Sequence, residues 1–119
     1  MRNFRNFEIW KNGMDIADKV YALTDEFPKY ETYGLSDQLR RAAVSIPSNI
    51  AEGSSRTSEA EFAHYLEYSI DSCFEVETQL EIAKRRDYIS EEQFNVLLAS
   101  LQTEEKQINQ FINLLKNNK

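Results

Sequence analysis

The 119-residue chain predicts an all-α fold, an up-down-up-down four-helix bundle with a proline-kinked second helix, and three observations lead there. Breakers are scarce, with three glycines and two prolines. Charged residues make up 29% of the chain, which suits long helices with solvated faces better than a sandwich or barrel of short strands. Four apolar stripes recur at spacings of three and four with short links between them, and such helices pack most simply as an antiparallel bundle. The length implies one domain over residues 1–119.

The first stripe runs from about Glu8 to Phe27 and consists of Ile9, Trp10, Met14, Ala17, Val20, Tyr21, Thr24 and Phe27. Pro28 ends it, and Gly13 is a weak point, about 1 kcal/mol worse than alanine inside a helix. Ser36 is placed to cap the second helix, which turns Leu39, Ala42, Ala43, Ile46, Ile50 and Ala51 inward. That register continues across Pro47 and favours one bent helix, although Pro47 could also sit in the first turn of a new short one. Gly53 and Ser54-Ser55-Arg56-Thr57 close the helix. Ser58 with Glu61 forms a capping box ahead of a third stripe of Phe62, Leu66, Ser69, Cys73, Val76, Leu80 and Ala83. Lys84-Arg85-Arg86 ends it, where positive charge complements a helix carboxyl terminus. A second box, Ser90 with Gln93, opens the fourth stripe: Phe94, Leu97, Leu98, Leu101, Ile108, Phe111, Ile112 and Leu115. Asn117-Asn118-Lys119 reads as a frayed tail.

Pro47 is the costly residue. It removes one backbone hydrogen bond and presses on the carbonyl of Ala43, a penalty of about 3 kcal/mol that the fold must offset. Asn49, with Ser48, Gln38 and Glu52 nearby, is a candidate to satisfy that carbonyl or to bond a neighbouring subunit. Asn49→Leu should then lower the thermal midpoint or the mass in solution.

Chemistry-bearing motifs are few. Glu61-Phe62-Ala63-His64 has the E-x-x-H form of di-iron bundles, but His64 is the single histidine and Glu61 is engaged by the capping box. Cys73 lies on an apolar stripe and reads as a buried thiol. Ser45, Ser48 and Ser72 lack a basic partner in a nucleophile setting. The expectation is no enzyme, no metal and no cofactor. A net charge of −6 argues against whole-protein attraction to nucleic acid, so RNA contact would need a local patch from Arg40, Arg41, Arg56, Lys84, Arg85 and Arg86. Arg56 and Lys84-Arg85-Arg86 lie at opposite ends of the third helix, ~40 Å apart, so they form no single patch in a monomer. No run of ~18 apolar residues predicts a membrane span. The amino-terminal charges lack an apolar run behind them, and one cysteine fits a reducing compartment, so the expected location is the cytoplasm.

Ser45, Ile46, Pro47, Ser48, Asn49, Ile50, Ala51, Glu52 and Gly53 together resemble the signature of bacterial four-helix-bundle proteins encoded by intervening sequences in 23S ribosomal RNA genes. Other matches flank it in order: Trp10, Ala17, Val20-Tyr21 and Phe27-Pro28, then Leu35, Gln38-Leu39 and Arg41-Ala42-Ala43. Ser72, Glu75, Ala83 and Tyr88-Ile89 follow, and one departure is Asp71, where relatives usually carry glycine. The resemblance implies a four-helix bundle that assembles as a ring-like homopentamer. It also implies a fold shared with the accessory protein of diversity-generating retroelements, which binds nucleic acid through basic surfaces. A role with RNA or a ribonucleoprotein is therefore one expectation, and a protein-only adaptor or scaffold is the other.

Overall fold

The computed structural model describes residues 2–117. Its helices are α1 Glu8–Thr24, α2 Leu35–Ser54, α3 Glu59–Arg85 and α4 Glu91–Asn117, with single 3-10 turns at Phe4–Asn6 and Lys29–Glu31. The packed seams are α1–α2, α2–α3, α3–α4 and α4–α1, as an up-down-up-down bundle requires. The bundle measures 49 × 23 × 20 Å. Asn117 belongs to α4, and the rest of the expected tail, residues 118 and 119, lies outside the described residues.

Both capping serines hold the starts of their helices, and one of the two pairs completes the reciprocal box. The Ser58 Oγ accepts the Glu61 N–H at 3.0 Å. The Ser90 and Gln93 pair is reciprocal, at 3.0 Å from the Gln93 N–H to Oγ and 2.9 Å from the Ser90 N–H to Oε1. α3 stops at Arg85, where Asp87 takes a left-handed φ of 62° and the Tyr88 N–H reaches back to the Ala83 carbonyl at 2.9 Å. Ser36 does not cap α2. The helix begins two residues earlier than such a cap would set, at Leu35; Ser36 is buried in its first turn, and the Glu31 carboxylate accepts the Leu35 N–H at 3.1 Å instead. That bond, followed by one from the Tyr88 hydroxyl at 2.8 Å, holds the Glu31 carboxyl below its usual range.

α1 ends at Thr24, three residues short of the expected end, with the Thr24 hydroxyl donating to the Val20 carbonyl at 2.8 Å. Phe27 stays buried in the turn that follows. Ile9, Ala17, Val20 and Thr24 face inward as expected, but Met14 and Tyr21 are 40% and 45% exposed. Gly13 and Ile16 take the inward places, because the stripe centres on the 9-13-16-20 row and leaves Met14 and Tyr21 on its flank. Asp71 faces solvent.

α2 runs without interruption through Pro47. It ends at Ser54, inside the stretch expected to close it, and Gly53 lies in the last turn with no positive φ. The glycine is needed for a close approach: a methyl built there would meet the Tyr65 Cβ at 2.6 Å and the Phe62 Cδ1 at 3.0 Å.

The core falls into two clusters. One gathers Val20, Leu39, Ile46, Val76, Leu80 and Leu101 with their neighbours. The other gathers Ile9, Ile50, Phe62, Leu66, Ile108 and Ile112. Between them lies a waist of small and polar residues, Gly13 of α1, Ser69 of α3 and Glu104 of α4, against the Ile46-Pro47 step of α2.

Candidate functional site

The nine signature residues wrap this waist. Ile46, Pro47, Ile50 and Gly53 are buried, Ser45, Ser48, Asn49 and Ala51 are half-buried, and Glu52 is exposed. The Ser69 hydroxyl crosses from α3 and donates to the Ile46 carbonyl at 2.8 Å, tying the helix at the residue before its proline. Ser69→Ala should therefore cost about 1 kcal/mol in a urea unfolding curve. Asn49 does not reach the Ala43 carbonyl; its Nδ2 donates to the Ser45 carbonyl at 2.9 Å, within its own helix. A methyl added to Gly13 would sit 3.3 Å from the Ile46 Cγ2 and 3.4 Å from the Pro47 Cβ, so the missing side chain lets α1 lie close over the proline.

Glu104 is the residue that the sequence reading passed over. Its side chain is fully buried, and neither carboxyl oxygen has a hydrogen-bond partner among the described residues. Burial pushes its carboxyl up to about 8, so the neutral acid is the form held at neutral pH. The signal was present: Leu97, Leu101, Glu104, Ile108 and Ile112 step by four, three, four and four along one buried face. Across the α3–α4 seam, the Glu105 carboxyl is also raised, by burial first and then by Glu77. Burial, followed by Glu104, Glu105 and Glu77, pushes the Cys73 thiol up, which keeps it protonated and inert.

The six basic candidates divide between the two ends of the bundle. The Gln38 and Gln79 side chains meet across α2–α3 at 3.5 Å, so the start of α2 lies beside the later turns of α3. Arg40, Arg41, Lys84, Arg85 and Arg86 thus share one end, while Arg56 sits at the other, just before α3. Most are engaged. Arg40 donates to the Thr24 hydroxyl at 2.7 Å and to Asp25 at 2.8 Å, with its guanidinium over the Tyr21 ring. Arg41 pairs with Asp37 at 2.9 Å and Lys84 with Glu81 at 3.1 Å. Arg56 donates to the Tyr65 hydroxyl at 2.6 Å. Arg41, Arg85 and Arg86 keep exposed side chains. His64 accompanies the Tyr68 hydroxyl at 2.8 Å and Glu67 at 3.4 Å, and among the described residues no cluster of histidine, cysteine and acids could hold a metal ion.

On the outer side of Pro47, the α1–α2 seam presents a mostly apolar groove. Trp10, Met14, Tyr21, Val44, Pro47 and Ala51 line it, with Asp18 and Ser48 beside them. The exposed flank of α1 and the signature segment of α2 thus form one surface.

Helix order, seams and waist define a small all-α protein of the antiparallel four-helix-bundle class. Residues 5–110 match the family described as 23S rRNA-intervening sequence protein, and the chain belongs to that family. The solved structure of a protein of unknown function from the S23 ribosomal protein family of Bacteroides thetaiotaomicron VPI-5482 superposes with a TM-score of 0.81. The two are 24% identical over 87% of this chain and 97% of that one, a likeness of fold. No curated protein matches the chain. No helix among the described residues is long and apolar enough to cross a membrane.

Proposed function

We propose that the chain is a non-enzymatic cytoplasmic subunit that assembles with copies of itself, as a pentameric ring, and acts as a scaffold. The observation that carries this reading is the α1–α2 groove. Met14 and Val44 are each 40% exposed there, on a surface shared with the signature helix. Apolar side chains gathered beside a sequence signature suit a surface that another copy covers. The non-enzymatic part rests on the placement of the perturbed acid, since Glu104 is sealed between helices and out of reach of a substrate. The double variant Met14→Lys, Val44→Glu tests the assembly. Its mass by light scattering should fall to that of the 13.9 kDa chain with helical circular dichroism intact. An unchanged mass contradicts the reading.

A second reading, association with RNA or a ribonucleoprotein, is favoured by the family description and by exposed Arg41, Arg85 and Arg86 at one end of the bundle. A ring would repeat that cluster around its axis, and binding would be salt-dependent. The purified protein should then carry absorbance at 260 nm that leaves in high salt, and Arg85→Glu with Arg86→Glu should abolish it. Protein free of nucleic acid at low salt would leave the scaffold reading alone.

A further inference from the structure

Glu104 stands out because the bundle surrounds it with nothing that stabilises a charge. From α1 it meets Gly13, whose added methyl would lie 3.2 Å from the Glu104 Oε2. From α2 the Ile46 and Pro47 side chains border the same point, and both are uncharged. From α3 the titratable neighbour is Cys73, a neutral thiol that Glu104 pushes up together with Glu105 of α4 and Glu77 of α3, while burial alone raises the Glu104 carboxyl. An ionised carboxylate here needs water. The α1–α4 seam is the thinnest of the four. Its outer side is a groove of mixed character, where Asn12, Asp15, Lys19, Ser100 and Thr103 stand beside Ile16 and Ala99, next to Glu104 along α4. Among the described residues one side-chain hydrogen bond crosses that seam, from the Asn12 Nδ2 to the Gln107 Oε1 at 2.8 Å.

We propose that Glu104 is a proton-controlled clasp: while it is protonated, α4 lies closed against α1, and loss of its proton parts the α1–α4 seam and admits water to the waist. The raised carboxyl supports this, because the change of state then falls in a mildly alkaline range and not near the usual value of about 4.3. Gly13 supports it independently, since a position with no side chain leaves nothing to shield the carboxyl once the seam loosens. The Glu104 Oε2 lies against the bare Gly13 position of α1, so the clasp opens toward α1.

The test is amide hydrogen exchange on the intact protein at about pH 6 and about pH 9, corrected for intrinsic rates, in the wild type and in Glu104→Gln. In the wild type, protection of the α1 amides near Gly13 and the α4 amides near Glu104 should fall about tenfold or more at the higher pH, while the α2–α3 seam keeps its protection. Glu104→Gln, which cannot ionise, should keep protection at both. Equal protection at the two pH values in the wild type overturns the proposal. So does a uniform fall over all four helices, or a fall of the same size in Glu104→Gln. If that variant does not fold, the carboxyl carbon shift of Glu104 in the wild type decides. A midpoint well above the usual glutamate range, shared by the amide signals of Asn12 and Gln107, supports the clasp. A midpoint near about 4.3, or amide signals of Asn12 and Gln107 that do not follow it, overturns it.

Discussion

Gly53→Ala should destabilise the bundle by about 2 kcal/mol, a loss of roughly 10 °C in thermal midpoint for a domain of this size. In an exposed helix the same change would gain about 1 kcal/mol from helix propensity. Here the new methyl would lie 2.6 Å from the Tyr65 Cβ and 3.3 Å from the Phe62 carbonyl oxygen. Neither atom belongs to the movable end of a side chain, so α2 and α3 must separate along their seam. Gly13→Ala is the contrast. Its closest contact, at 3.2 Å, is the end of the Glu104 side chain, which can shift, so its cost should be smaller. Calorimetry of both variants checks the ranking, and a Gly53→Ala protein as stable as the wild type would refute the close approach.

Glu104→Leu should raise stability, and the gain should grow with pH. The folded carboxyl holds its proton up to about 8, whereas in the unfolded chain it releases it near about 4.3. Between those values the native state binds more protons than the unfolded one, so the stability of the wild type falls as pH rises through that window. Below the window both states are protonated and the acid sets no slope. Above it both are ionised and the penalty is complete, on the order of 4–5 kcal/mol. The wild-type thermal midpoint should therefore drop by roughly 10–20 °C between about pH 5 and about pH 8.5. Much of that drop should vanish in Glu104→Leu. Some slope should persist, because the Glu105 carboxyl, raised by burial and by Glu77, releases its proton in the same direction. A wild-type midpoint that is flat or rises over this range would contradict the buried acid.

What was legible in the sequence was local. Ser90 with Gln93 and Ser58 with Glu61 carry their capping chemistry within four residues; the first formed as a reciprocal box and the second as a cap of the Glu61 N–H alone. The unbroken register across Pro47 foretold one helix, and one helix is present. The bend itself stays an expectation from the proline ring. Ser36 failed as a cap because the carboxylate that replaces it, Glu31, comes from the preceding loop, whose path depends on Tyr88 after α3. Gly53 does stand in the last turn of α2, but its close approach to α3 is not legible locally, because its partners Phe62 and Tyr65 come from the next helix. Met14 and Tyr21 meet solvent although they belong to the stripe, because apolar spacing fixes a stripe but not which edge of it is exposed. Arg40 looked free to meet RNA, yet Thr24 and Asp25 hold it, a pairing that only the α1–α2 packing creates. Glu104 was hidden by its own chemistry: an acid at an inward step reads as an interruption of the stripe, when it is a member of it.

Self-assembly through the α1–α2 face is the claim on which the functional account turns, and native mass spectrometry of the untagged protein tests it most directly. The account predicts a closed species of five 13.9 kDa chains that persists on dilution to low micromolar concentration. A spectrum holding the 13.9 kDa chain alone at tens of micromolar would contradict it.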